Sequence, residues 1–200
     1  DLLDLAKFFL DERGHYYQGE RYAPEDPFST YNSDEYLQNH KPVLEQDEAV
    51  GHAVRAMYMF AGMADVAALG GYPDYVRAID RLWEDVVGRK MYVTGGVGAL
   101  TDSEAFGAAY ELPNKTAYTE TCAAIGHALW EQRLFLLHGR ADCVDLLERT
   151  MYNGLLSGVS LDGTSFFYQN PLESDGKTEL YQGQVGRAPW FEVACCPPNV

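Results

Sequence analysis

Hydrophobic positions recur at helical spacing through most of the first half of the chain. Leu2, Leu5, Ala6 and Phe9 form one apolar stripe. Val50, Ala53, Val54, Met57, Phe60, Ala61 and Ala64 form a longer one. A third set, Val76, Ile79, Leu82, Trp83 and Val86, is separated from the second by Gly70-Gly71-Tyr72-Pro73, which breaks a helix. Residues 20–46 interrupt the rhythm: they are polar, aromatic and turn-rich, and read as a loop that covers something. Periodicity then predicts a helix from about Thr119 to Leu137, with Thr119 as N-cap, and another from about Ala141 to Leu155. The period changes after that. Val159-Ser160-Leu161, Asp162-Gly163 and Thr164 to Tyr168 read as a β-hairpin around a two-residue type I′ turn. The fold class expected is mainly α, a helical body with a small β-hairpin excursion.

Two hundred residues, 46% hydrophobic and 13% aromatic, are enough for a single packed core. A formal net charge of −15 disfavours nucleic acid and anionic membranes, whose phosphates would be repelled. No apolar run approaches the roughly 20 residues that span a bilayer, so no membrane partner is expected. A neutral polar ligand such as a sugar is compatible with this charge. Asp1 falls inside a helical pattern and Val200 directly follows a cysteine motif, so residues 1–200 read as part of one domain cut at both ends.

The chemistry concentrates in two distant motifs, Glu120-Thr121-Cys122 and Cys195-Cys196-Pro197-Pro198. Together they offer three sulfurs and a carboxylate, a set that suits a tetrahedral Zn²⁺. Adjacent cysteines pair with each other only under strain. The prolines are expected to bar a helix directly after the pair, leaving it on an extended segment or turn. Glu120 and Cys122 would diverge in mid-helix, but at a strand or a helix entry both can face one ion. Taken singly, they are a first-turn carboxylate and a buried thiol; the four residues together read as a zinc site. Thiolate ligands favour a reducing compartment, and hence a cytoplasmic location.

Other candidates are weaker. Tyr92 to Ala99 is glycine-rich but lacks a phosphate-binding frame, and reads as a flexible approach to a site. Glu104, beside Phe106, suits a general acid if partly desolvated, and a solvated loop position if not; Asp102 and Glu111 compete with it. Glu148 lies three or four residues from Val144, Met151 and Tyr152, on what reads as an apolar face, where a carboxylate needs partners. His52, His127 and His138 each read alone as structural. Tyr168 and Asn170 alternate with Phe167 and Gln169, which suits either a polar ligand or an exposed strand face.

In combination these motifs resemble one family. Gly51 to Tyr58, Tyr92 to Gly96, Tyr110 to Asn114, Ala117 to Ala123, Leu147-Glu148-Arg149 with Tyr152-Asn153-Gly154, Phe167 to Leu172, and Cys195 to Asn199 follow, in order, the pattern of the β-L-arabinofuranosidases of glycoside hydrolase family 127. The resemblance implies part of an (α/α)6 barrel and a retaining hydrolase that releases β-linked L-arabinofuranose from plant-type glycans. It implies Glu120, Cys122, Cys195 and Cys196 as zinc ligands, Cys195 as nucleophile and Glu104 as acid/base. His52, Glu148 and Tyr168 would hold the sugar. Two other readings use the same residues: a non-hydrolytic sugar-binding domain with a structural zinc, and a sugar epimerase on the same barrel. An epimerase should carry paired histidines at its centre, and no such pair is evident.

Overall fold

The computed structural model describes residues 1–15 and 33–200; positions 20–32 of the expected covering loop lie outside the described residues. The chain is mainly α. Six α-helices are described: α1 Leu2–Asp11, α2 Ala53–Gly70, α3 Pro73–Asp85, α4 Thr121–His138, α5 Ala141–Arg149 and the short α6 Cys196–Asn199. No helix among the described residues is long and apolar enough to cross a membrane.

Helix α2 is the centre of the packing. Ten of its residues are buried, among them Met57, Phe60 and Met63, because α1, α3 and α4 all pack against it. The sequence sets its ends locally. The His52 side chain accepts the Arg55 N–H at the N-terminus, and Gly71 closes the C-terminus at φ 66°, a conformation that costs glycine little. Pro73 then opens α3 at a position where its missing N–H is no loss. Helix α4 crosses α2 closely at Gly126, where an added Cβ would lie 2.8 Å from the Cβ of Met57. Beside that crossing Phe60 and Trp130 meet at 5.1 Å between ring centroids.

Several local expectations are corrected. On α1 the core-facing residues are Leu3 and Leu10, while Leu2, Leu5 and Phe9 of the expected stripe are 85%, 50% and 62% exposed. Helix α4 starts at Thr121 with Glu120 as N-cap, not Thr119. Thr119 has φ +37° and uses its hydroxyl to bond Asn170 O at 2.6 Å, so it cannot cap the helix. Helix α5 stops at Arg149 and widens into a π turn over Thr150–Leu155. The glycine-rich loop is packed inside the protein: residues 95–99 are buried, and the carbonyl of Gly95 meets His127 Nδ1 at 2.8 Å.

The expected hairpin is reduced to bridges. Val159 pairs with Phe166 and Phe166 with Ala188, without a continuous strand. Its turn is longer than two residues. The Ser160 N–H bonds Ser165 O, and the intervening amides of Thr164 and Ser165 are taken by Ser160 Oγ and Asp162 Oδ1. Side-chain acceptors here replace the ladder that a type I′ turn would continue.

The close α2–α4 crossing carries a test. Gly126→Ala should destabilise the protein by about 1–3 kcal/mol, because a Cβ-to-Cβ overlap between two helices has no flexible atom to yield. Urea unfolding would measure it, and an unchanged midpoint would show that the crossing is looser than described.

Candidate functional site

The two distant motifs meet at one place. Cys122 Sγ lies 3.4 Å from Cys196 Sγ, and Cys195 Sγ lies 3.7 Å from Cys196 Sγ. Oε1 of Glu120 is 3.1 Å from Cys195 Sγ and 3.6 Å from Cys196 Sγ. All four ligand atoms fall within 4.8 Å of one another.

Backbone bonding around residue 120 brings this about. Thr119 N–H bonds Gly98 O at 2.8 Å, and Thr121 N–H bonds Tyr168 O at 3.0 Å. Glu120 forms a bridge with Gln169, so it is extended, whereas Cys122 is already in the first turn of α4. A strand-to-helix boundary therefore falls between the two, and both side chains face the same side. The prolines after Cys196 do not exclude helix, which corrects the expectation of an extended segment. They occupy the opening turn of α6, where no N–H is required, and Cys195 directly precedes it.

The donor set fits zinc. A tetrahedral ion with Zn–S near 2.3 Å and Zn–O near 2.0–2.2 Å sets sulfurs about 3.8 Å apart and sulfur about 3.5 Å from oxygen. The sulfur–sulfur distances of 3.4 and 3.7 Å fall slightly short of the first value, and the sulfur–oxygen distances of 3.1 and 3.6 Å lie on either side of the second. Oε2 of Glu120 is buried without a hydrogen-bond partner. Burial, and then the charge of Cys195, push the Glu120 carboxyl up to about 9. Hydrogen bonds from Cys122 and then Cys196 hold the Cys195 thiol well below its usual value. The bond to Cys195 pushes the thiol of Cys122 up, and the bonds to Cys122 and then Cys195 push that of Cys196 up. Acidic groups packed this closely cannot all ionise by themselves, and a divalent cation removes that penalty.

A cavity of about 450 Å³ opens onto this cluster. Cys195, which is part-exposed, lines it, whereas Cys196 is fully buried behind. His52, Glu104 and Tyr168 also line it. Oxygens of Glu104 and Glu120 and a nitrogen of His52 lie within 4.8 Å of one another. Glu104 sits at φ +54°, an uncommon conformation for a non-glycine residue, and its carbonyl accepts the Ala53 N–H at 3.0 Å. It is thus tied to the start of α2.

His52 has a defined direction of bonding. Its Nδ1 accepts the Arg55 N–H at 3.1 Å, so the ring proton is on Nε2. That Nε2–H points at Glu104 Oε2, 3.1 Å away. Tyr168 is 6% exposed, and burial followed by the charge of Glu120 raises its phenol.

Of the sequence candidates, Asp102, Glu111 and Asn170 do not line this cavity, and neither does Glu148. Glu148 is exposed on α5. The apolar face of α5 runs through Cys143 and Leu146, and Val144 and Met151 share the exposed side with Glu148. Four lining residues were not singled out as site candidates from sequence: Val54, Arg55, Tyr58 and Asn199. Asn199 Nδ2 donates to Cys122 Sγ at 3.5 Å, and Arg55 brings the one basic side chain besides His52 among the described lining residues. Asn199 was signalled by adjacency to the cysteine pair, and Arg55 by its place one turn after His52.

Comparison with known proteins agrees with this geometry. The family model for the GH127 catalytic domain of β-L-arabinofuranosidases matches residues 1–200. The non-reducing end β-L-arabinofuranosidase of Bifidobacterium longum subsp. longum is 39% identical over 169 residues, 82% of this chain and 26% of that protein. A solved GH127 β-L-arabinofuranosidase from Geobacillus stearothermophilus T6 is 42% identical with TM-score 0.89, covering 98% of this chain and 32% of its own. Another solved GH127 β-arabinofuranosidase is 57% identical with TM-score 0.84, covering 98% and 28%. The chain thus spans 26–32% of the length of these relatives.

Zinc measurements test the cluster. One equivalent of zinc per chain is expected after dialysis, and Cys122→Ala should lose it. Asn199→Leu should retain the four ligands and bind about 10–100-fold more weakly. Equal affinity in the Asn199 variant would remove that side chain from the metal's surroundings.

Proposed function

The chain belongs to the GH127 β-L-arabinofuranosidase family, and from that premise we propose that it forms part of the (α/α)6-barrel catalytic domain of a retaining glycosidase acting on non-reducing-end β-L-arabinofuranosides. The observation that carries this reading is the pairing in one cavity of a part-exposed cysteine with a glutamate. A retaining enzyme needs a nucleophile at the anomeric carbon and a proton donor at the leaving oxygen.

Cys195 Sγ attacks the anomeric carbon, forming a C–S bond as the C–O bond to the leaving group breaks. Glu104 gives its proton to the departing oxygen. The resulting carboxylate then takes a proton from water, which attacks the same carbon and breaks the C–S bond. Two inversions give net retention. Glu120, Cys122, Cys195 and Cys196 would hold the zinc, which when bound keeps these thiols deprotonated at neutral pH.

His52 holds Glu104 through Nε2–H on Oε2, leaving Oε1 to carry the transferred proton. It accepts at Nδ1 from a backbone amide, so it serves as a fixed donor, not as one of an acid/base histidine pair. This favours the hydrolase over an epimerase. Tyr168 closes the sugar side of the cavity, and no sugar contact is assigned to Glu148. Four free cysteines fit a reducing, cytoplasmic setting.

Hydrolysis of p-nitrophenyl β-L-arabinofuranoside tests the reading. Turnover should require reductant and disappear with a zinc chelator. Cys195→Ser should abolish it, and Glu104→Gln should lower it by about 10²–10⁴-fold on unactivated glycosides. Turnover by a folded Cys195→Ser variant would instead make the metal structural. His52→Asn keeps a capping acceptor for Arg55 N–H but cannot reach Glu104. It should retain the wild-type melting temperature and lose about 10–100-fold in kcat. A wild-type kcat would show that the His52–Glu104 bond positions nothing.

A further inference from the structure

A second cavity, of about 520 Å³, also borders Glu104. Glu104 lines both cavities. The rest of the partition is an aromatic pair: Tyr168 faces the first cavity and Tyr181 the second. Their rings stack at 3.9 Å between centroids and 20° between planes. One carboxylate and one stacked pair therefore stand between two spaces that can each hold a small molecule.

The second cavity has its own unsatisfied chemistry. Tyr118 lines it, is 2% exposed, and its hydroxyl lies beside the Glu104 carboxyl without a hydrogen bond of normal length. A buried hydroxyl without a full hydrogen bond is unfavourable, and a hydroxylated occupant would satisfy it. Thr178 adds a second hydroxyl and Tyr181 an aromatic face.

We propose that this second cavity is the leaving-group subsite, and that it accepts a neutral sugar and disfavours an anionic one. The inference rests on the glycosidase reading above. The acid of such an enzyme must stand beside the scissile oxygen. With the arabinofuranose in the first cavity against Cys195, the group beyond that oxygen passes Glu104 into the second. A sugar offers hydroxyls to Tyr118 and Thr178 and an apolar ring face to Tyr181. The charge of the lining sets the preference. Lys115 is already paired with Asp175 at 2.7 Å; Glu104 is neutral when it holds the proton it donates, and Glu179 supplies the negative charge of the lining. A uronate there would meet like charge.

Three β-L-arabinofuranosides separate the contributions: the methyl glycoside, a disaccharide with a neutral sugar as leaving group, and the same disaccharide with a uronate. All three lose an alkyl oxygen that needs Glu104, and they differ in what fills the second cavity. In the wild-type enzyme, kcat/KM for the neutral disaccharide should exceed that for the methyl glycoside and for the uronate by at least about tenfold. Tyr181→Ala should remove most of the advantage over the methyl glycoside, and Tyr181→Phe should restore it. Glu179→Lys, at an exposed position, should narrow the gap between uronate and neutral disaccharide, and it remains informative if Tyr181→Ala does not fold.

Cleavage of all three at one rate overturns the subsite and leaves the glycosidase reading standing. So does an equal loss on methyl glycoside and disaccharide in Tyr181→Ala, together with an unmoved uronate gap in Glu179→Lys. Cleavage of none overturns both.

Discussion

The site depends on the hydrogen bonding of residues 119 to 121. Thr119 N–H holds the glycine loop at Gly98, its hydroxyl holds Asn170, and Thr121 bonds Tyr168 through its amide and Phe167 through its hydroxyl. Two segments distant in sequence, the glycine loop and residues 167–170, are thereby fixed to the first turn of α4. Thr119 adopts a left-handed conformation to do this, a cost of order 1–3 kcal/mol that the surrounding bonds must offset. The consequence is geometric: the chain changes from extended to helical between Glu120 and Cys122, so two residues that would otherwise diverge face the same point.

Electrostatics then couples that point to a cation. A carboxylate and three thiols packed within 4.8 Å are unfavourable as anions in a buried place. Folding and metal binding should therefore support each other, with the ligand atoms prearranged by the backbone. Cys195 is part-exposed and lines the cavity, whereas Cys196 is buried.

The Glu104 carboxyl in the same cavity is held by a different device. His52 is both helix cap and hydrogen-bond donor, and the cap determines which nitrogen donates. Glu104 is held at its backbone by Ala53 and at its side chain by His52, both at the start of α2. Because Glu104 also borders the second cavity, one carboxylate faces both spaces.

The sequence by itself determined what local rules govern. Gly71 and Pro73 end one helix and start the next, and the apolar positions of α2 and α3 lie in the core. The donor set Glu120, Cys122, Cys195 and Cys196 was also legible, since few other residue groups in the chain offer three thiols and a carboxylate. Tertiary structure decided which faces are covered. The Leu2, Leu5 and Phe9 stripe is exposed, and Glu148 lies on the outer side of α5, because helical phase alone does not say which face meets a neighbour. It also decided Thr119, whose left-handed backbone contradicts its capping propensity, since bonds to Gly98 and Asn170 outweigh a local preference of about 1 kcal/mol. Local preferences set where elements begin and end; long-range hydrogen bonds and burial, absent from any short window of sequence, set what those elements face.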